Sequence, residues 1–255
     1  MRPFQYIAIL FVVLLGIITY LYFRGIIGFV WLPVFCVLYV TLLYFGVTQI
    51  QWNFYISSYN KGNNKHFIAL TFDDGPNTET SAILDVLRQE QVKAAFFCIG
   101  KHIEQDQALV LRMYDEGHVV GNHSYYHSSG FDWMSSKRML AEIEKCNSLI
   151  RKITGRQPHM FRPPYGITNP NLSRAVKRSG MASIGWSLRS FDTVARDGEQ
   201  LKNRIINKLS GGDIILLHDS VPLTREILTD LIRQARKKGF TFVRIDQLLD
   251  VPAYA

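Results

Sequence analysis

The first fifty residues contain no acidic side chain and only two basic ones, Arg2 and Arg24. Nothing between residues 4 and 23 is charged, and after Arg24 the next charge is Lys61. A run of roughly 20 apolar residues is what a helix needs to cross a bilayer, where every backbone polar group has to be satisfied within the segment. Residues 4–23 and 26–50 both reach that length. Tyr20, Tyr22, Trp31, Trp52 and Tyr55 fall near the expected interfaces, where amphipathic rings collect. A cleaved signal peptide is the competing reading of the first stretch. Against it, the apolar core is too long, Arg2 is the lone basic residue ahead of it, and no small-x-small cleavage site follows. The expectation is a retained two-helix transmembrane hairpin over residues 1–50. Arg24-Gly25 leaves almost no loop, so the chain returns to the side it started from.

About 200 residues remain, enough for one domain with a sizeable core. They hold 27 of the 29 Lys and Arg and all 21 Asp and Glu, a net charge of 27 − 21 = +6. That modest excess suits an anionic surface such as a cell wall or lipid headgroups. No Lys/Arg block or RNA-binding signature appears, which argues against nucleic acid as a partner. Cys98 and Cys146 are read as packed thiols, and they neither require nor exclude an oxidising compartment.

Residues 51–65 end in a Gly/Asn cluster and read as a linker, placing the domain at 66–255. Within it, apolar runs alternate with helical periodicity. Strands are expected at 66–72, 94–99, from 118, at 158–161, 181–186, 213–217 and 241–244. Helices are expected from 77, near 105–116, and at 135–153, 169–179, 198–209 and 224–238. Such alternation argues for an α/β fold with a parallel sheet and helical crossovers. Polar clusters fall at the C-terminal ends of successive strands: Asp73/Asp74, His123, Arg162 and His218. That is where barrels of this architecture place their chemistry.

Asp73-Asp74 is followed by Gly75-Pro76, and alone this is ordinary turn chemistry. At a strand end, neighbouring side chains point to opposite faces, so one carboxylate is free to bind a metal while the other handles a proton. His123 and His127 lie four residues apart, a spacing that puts two imidazoles on one face of a helical turn. With Asp74 they make an Asp/His/His set with positions left open, the catalytic arrangement for zinc that other divalent ions also accept.

Thr71-Phe72-Asp73-Asp74-Gly75, His123-Ser124-x-x-His127, Arg162-Pro163-Pro164-Tyr165-Gly166 and Leu216-Leu217-His218 occur in that order. Together they resemble the signature blocks of the NodB-type polysaccharide deacetylases, carbohydrate esterase family 4, over roughly residues 66–245. The resemblance implies a distorted (β/α) barrel that removes N-acetyl groups from a polysaccharide of the peptidoglycan, chitin-like or poly-N-acetylglucosamine type. It implies that Asp74, His123 and His127 hold a divalent metal, zinc foremost, with cobalt, nickel or iron as alternatives. Asp73 is then the base, oriented and kept ionised by Arg162, and His218 is the acid. The Tyr165 backbone N–H serves the oxyanion, while Leu216, Tyr165 and Trp186 contact substrate. An N-acetylated glycan and the membrane are the implied partners, with the domain outside the cytoplasm.

One block departs from the family. Trp186-Ser187-Leu188-Arg189-Ser190-Phe191-Asp192-Thr193 keeps the second aspartate of the usual run, Asp192, which pairs with His218 or Arg162. Arg189 replaces the first aspartate and Thr193 the second tryptophan. Arg189 either favours an anionic substrate or pairs with a surface carboxylate. Tyr125 and Tyr126 are the expected sugar-stacking rings, Asp219 a helix cap, and His66, His102, His118 and His159 sit at element ends or the surface. Two other functions stay open: a deacylase of a lipid-carrier-linked sugar or other small amide, and a non-catalytic glycan-binding membrane protein.

Overall fold

The computed structural model describes residues 3–255, so Arg2 lies outside the described residues. Two helices open the chain, α1 (Pro3–Phe23) and α2 (Trp31–Thr48). Both are long and apolar enough to cross a membrane, and of their residues only Gly46 is buried. They pack on each other, with Phe11 stacked on Phe35 and Tyr39. The connection is longer than Arg24-Gly25: it runs over residues 24–30 and turns at Gly25, whose φ is +68°.

The body follows as β1 (Ser58–Tyr59), β2 (Phe67–Asp73), α3 (Thr80–Gln89), β3 (Ala95–Cys98), α4 (Gly100–Gln105), α5 (Gln107–Asp115), β4 (Val119–Asn122) and α6 (Ser136–Thr154). Then come β5 (Met160–Phe161), α7 (Pro170–Ser179), β6 (Ala182–Ile184), β7 (Leu188–Arg189), α8 (Gly198–Lys208), β8 (Ile214–His218), α9 (Pro222–Lys237), β9 (Thr241–Phe242) and α10 (Ile245–Leu249). The helix expected near 105–116 is α5, capped by the Asp106 side chain through the Leu109 N–H, and the short α4 ahead of it has no counterpart among the expected elements. The last strand is shorter than expected and gives way to α10.

Every strand pair is parallel, in the order β1-β6-β5-β4-β3-β2-β8-β7, with β9 joining the start of β2. β6 and β7 lie on opposite flanks of this sheet, yet only residues 185–187 separate them. Four Cα steps span at most about 14 Å, so the sheet has to curl until its flanks nearly meet. The short link makes the join: the Gly185 N–H donates to the Tyr59 carbonyl on one flank and the Ser187 N–H to the Ile214 carbonyl on the other.

Side chains sort with the two-residue period of a strand. Ile68, Leu70 and Phe72 of β2 face the helices, as do Phe96 of β3 and Ile215 and Leu217 of β8. Ala69, Phe97, Ile214 and Leu216 face inward to a second core. Thr71 and Asp73 share the inward register of Ala69, so small and polar groups leave room inside the curl. Arg162, with no exposed surface, fills it. Its guanidinium donates to Thr71 Oγ1 (2.8 Å), Asp73 Oδ1 (2.7 Å), the Ile184 carbonyl (3.3 Å) and the Gly185 carbonyl (2.9 Å). It also lies 4.1 Å from the centre of the Phe97 ring.

The stretch expected to be a linker is packed rather than free. Phe54, Tyr55 and Ile56 are buried, β1 pairs with β6, and Gln51 Nε2 donates to the Trp186 carbonyl at 3.0 Å. The end of α2 is joined to the body as well, since the Thr168 N–H donates to the Val47 carbonyl at 2.9 Å.

Replacing Arg162 by Leu strands a buried carboxylate and two buried carbonyls. The expected loss is about 3–5 kcal/mol, the cost of breaking a buried ion pair from one side. Urea unfolding of the full-length protein in detergent measures it, and a loss under about 1 kcal/mol would show that Arg162 does not hold the curl.

Candidate active site

β2 ends at Asp73, and Asp74 turns out of the strand with φ +75°. Simple alternation would send the two carboxylates apart, but this left-handed residue brings both to one hollow. Asp73 Oδ2 lies 3.8 Å from His123 Nε2, and Asp74 Oδ1 lies 3.6 Å from the Nε2 of both His123 and His127. The His102 Nδ1–H donates to the Asp74 carbonyl at 2.8 Å and so fixes the turn. His102 matches no motif, and only its position in space shows this role.

The two histidines do not share a helical turn. They follow β4 in a loop in which Ser124 (φ +65°) and His127 (φ +50°) are both left-handed. The loop is tied by its own polar groups: the Ser124 N–H donates to Asn122 Oδ1 at 2.7 Å and the His127 N–H to Ser124 Oγ at 3.1 Å. Asn122 is held from beneath by the Ile143 carbonyl and Asn147 of α6. The spacing of four therefore works through two positive φ angles instead of helical geometry.

Asp74, His123 and His127 offer ligand atoms that all lie within 4.8 Å of one another. Their chemistry fits a cation. Asp74 Oδ1 is buried without a hydrogen-bond partner, an arrangement that costs free energy unless something positive meets it. The His123 Nδ1–H donates to the Arg162 carbonyl at 2.8 Å, which leaves Nε2 bearing its lone pair toward Asp74. Burial, reinforced by the His127 charge, lowers the His123 pKa to about 3, so that imidazole is neutral.

Asp73 is 4% exposed, and burial raises its pKa above the usual carboxylate value even though Arg162 pulls the other way. Arg162 does lower it, as expected, but desolvation is the larger effect and the net shift is upward. His218 lies opposite Asp73 in the β2–β8 register. Asp192 pairs with His218 and not with Arg162. Its Oδ1 accepts from His218 Nδ1 at 2.8 Å, and its Oδ2 accepts from the His218 N–H at 2.7 Å and Thr224 Oγ1 at 2.8 Å. Burial opposes the imidazolium, yet the Asp192 hydrogen bond and charge outweigh it and raise His218 to about 9.

Tyr165 is 48% exposed in a turn with φ +56°, and its hydroxyl donates to the His127 carbonyl at 3.3 Å. Gly166 beside it, at φ +68°, lies against Trp186, where a Cβ would collide with the indole. Trp186 is thus a buried support under this turn, and Leu216 is 3% exposed inside the curl.

Several expectations change. Arg189 pairs with no carboxylate among the described residues; it stacks on Phe191, which Arg204 also covers, at 4.9 and 4.1 Å. Tyr125 is buried and donates to Glu104, leaving Tyr126 as the exposed ring of the pair. His118 is buried, accepts from the Ala94 N–H through Nδ1, and its pKa falls to about 3 by desolvation. Asp219 caps no helix. It is buried, accepts from Thr80 Oγ1, and burial raises its pKa to about 7. Trp133, 90% exposed, is an aromatic surface that sequence reasoning missed.

The polysaccharide deacetylase family profile matches residues 60–184. The peptidoglycan-N-acetylmuramic acid deacetylase PdaA of Bacillus subtilis is 34% identical over 208 residues, covering 78% of this chain and 79% of the relative. The peptidoglycan-N-acetylglucosamine deacetylase PgdA of Listeria monocytogenes is 33% identical over 74% of this chain, which spans only 40% of that relative's length. The structure of the chitin deacetylase of Colletotrichum lindemuthianum superposes with a TM-score of 0.73 at 28% identity, covering 78% of this chain and 95% of that one. The curled sheet and the ordered blocks are thus those of a carbohydrate-modifying hydrolase. The chain belongs to the polysaccharide deacetylase family, carbohydrate esterase family 4.

The Asp192–His218 pair sets a pH dependence. A folded-state pKa of about 9, above the ordinary 6.5, means its stabilisation is complete below 6.5 and lost as pH rises through 9. In Asp192→Asn, burial is opposed only by the charges of Asp73 and Asp74, and the His218 pKa is expected to fall from about 9. Histidine titration by NMR reads this, and a value still near 9 would show that Asp192 is not its source.

Proposed function

We propose that this protein is a membrane-anchored, metal-dependent deacetylase acting on N-acetylated sugars of an extracytoplasmic glycan. Residues 1–50 are the anchor and 66–255 the catalytic domain, with 51–65 as the packed joint between them. The observation that carries the reading is Asp74 Oδ1, buried, unpartnered and equidistant from two imidazole Nε2 atoms.

Asp74, His123 and His127 hold the divalent cation, for which zinc suits two nitrogens and one oxygen. When bound, such an ion supplies Lewis acidity and lowers the pKa of water. Asp73 accepts the proton of the attacking water. Its raised pKa makes it a better acceptor than an ordinary carboxylate, and Arg162 fixes its orientation. The left-handed turn at Tyr165 offers a backbone N–H to the developing oxyanion. Leu216 lies behind the acetyl methyl group. His218, held protonated by Asp192, gives its proton to the leaving nitrogen as the carbon–nitrogen bond breaks. Acetate and a free amine are the products.

The relatives point to different sugars: N-acetylmuramic acid and N-acetylglucosamine in peptidoglycan, and chitin. A bacterial-type cell-wall glycan is the reading that two of the three support. The join between Val47 and Thr168 favours a second reading, a lipid-carrier-linked sugar, because it fixes the site at the end of the anchor.

The test is acetate release from peptidoglycan fragments and N-acetylglucosamine oligomers by full-length protein of measured metal content. Release is expected to stop with chelator and return with zinc. Asp73→Asn should lower kcat by about 10²–10⁴-fold while metal content is unchanged, as loss of a general base does. Folded, metallated protein that frees no acetate from any of these substrates would refute the reading.

A further inference from the structure

Both anchor helices meet the body at the same end. Phe4, in the first turn of α1, has its ring centre 5.0 Å from that of Tyr55 and 6.5 Å from that of Phe54. In the last turn of α2, the Gly46 and Val47 carbonyls accept from the Thr168 hydroxyl and N–H. In a helix that spans the bilayer this end lies in the headgroup layer, and Thr168 lies there with it. α7 starts at Pro170, two residues further on, and its 10 residues extend about 15 Å. It does not lead away from the joint. Pro170 and Arg174 line a cleft with Val47, and Lys177 and Gly180 line a second hollow with Ile56 and Tyr59.

The surface of α7 is sharply divided. Leu172, Ala175 and Val176 are buried in the core shared with α6, whereas Arg174, Lys177 and Arg178 are exposed. The helix has no acidic residue, and none of these three cations has a carboxylate partner among the described residues. Arg174 bonds only to the Asn171 side chain. Lys177 and Arg178 suit the negative end of the helix, but Arg174 lies in its middle and gains nothing there. The two hollows flanking α7 contain one carboxylate between them, Asp132, whose Oδ1 is buried. The exposed face is therefore cationic and uncompensated, at the height where phospholipid phosphates begin.

The neighbouring turn adds an apolar contact. The Asn169 and Asn171 side chains donate to the Asp132 and Met134 carbonyls at 2.9 and 3.0 Å, which clips Trp133 to the start of α7 from both sides. Its indole is 90% exposed. Tryptophan is the side chain that settles at a bilayer–water boundary, with its ring in the apolar layer and its N–H in the wet one.

We propose that α7 and the Trp133 turn form a docking face that rests on the bilayer, with Arg174, Lys177 and Arg178 on the phosphates of anionic phospholipids and the indole among the upper acyl chains. The inference rests on the membrane-anchor part of the reading above. It gives the body a second hold on the membrane besides the hairpin. Tyr165 is three residues before Thr168, and its ring lies 4.6 Å from that of His127. Docking thus also fixes the height of the candidate active site above the lipid.

The experiment places the full-length protein in nanodiscs of phosphatidylcholine, with or without about one-third phosphatidylglycerol, and quenches tryptophan with lipid brominated high on its acyl chains. Wild type minus Trp133→Phe isolates the Trp133 signal. Trp133 should be quenched in the anionic discs and much less in the neutral ones. The quenching should fade as salt approaches about 1 M, where the screening length is about 3 Å. Each cation near such a surface favours the docked state about fivefold, so Arg174→Gln, Lys177→Gln and Arg178→Gln combined should shift it about 10²-fold and abolish the quenching. Quenching that ignores lipid charge, salt and the triple variant, or no quenching of Trp133 in any disc, would overturn the docking face. Soluble polyphosphate held in neutral discs by wild type and not by the triple variant, without lipid-dependent quenching, would assign the cations to a soluble polyanion and overturn it too. The Trp133→Phe protein keeps Trp31 at the start of α2. If Trp31 is quenched and Trp133 is not, the docking face falls and the anchor stands. If neither is quenched, the helices do not enter the bilayer and the anchor reading itself fails.

Discussion

A single buried cation organises this domain. Arg162 has no exposed surface, and its guanidinium reaches β2 through Thr71 and Asp73 and the β6–β7 link through two carbonyls. An unpaired guanidinium at that depth would be prohibitively unfavourable, so the fold is constrained to present it with acceptors. The curl of the sheet does this by bringing the β6–β7 link across to face β2. The same network delivers Asp73 in one orientation, and the Arg162 carbonyl fixes the tautomer of His123. Closure of the fold and order in the site are therefore one set of hydrogen bonds.

Strand alternation explains why there is room for it. Ile68, Leu70 and Phe72 serve the helix-facing core, whereas Ala69, Thr71 and Asp73 face inward. The inward series moves from apolar to polar toward the C-terminal end of the strand. In β8, Ile214 and Leu216 lead to His218 in the same way, and the parallel register places His218 opposite Asp73. The core thus changes into the candidate active site along the length of two adjacent strands.

Much of this is legible in the sequence, and what is not follows a pattern. The alternation of apolar runs and helical periodicity implies the parallel sheet, and the polar ends of strands supply the candidate site residues in order. Local geometry is hidden wherever a non-glycine residue takes a positive φ. Asp74, Ser124, His127 and Tyr165 all do so, and no propensity marks them. The spacing of His123 and His127 permits a helical pair, but the loop that converges them depends on the Asn122 and Ser124 side chains. The roles of His102 and Asp219 escape a sequence reading for a related reason, since their partners are 28 and 139 residues away along the chain. Residues 51–65 look like a linker because their burial comes from β6 and Trp186, far along the chain.

The electrostatics then divide the work among side chains of one chemical type. His123 is buried and His218 largely so, and burial alone favours neutral imidazole in each. The difference is the partner at Nδ1. A carbonyl takes the proton of His123 and adds no full charge, so burial prevails and the ring stays neutral at about 3. A carboxylate takes that of His218, and its charge and hydrogen bond reverse the outcome to about 9. A neutral imidazole can give a lone pair to a cation and an imidazolium cannot; the reverse holds for giving a proton. In the proposed reaction, pushing two like groups apart gives one site both a ligand and an acid at neutral pH. The block that departs from its family loses one aspartate and keeps Asp192, and it is Asp192 on which the charge of His218 depends.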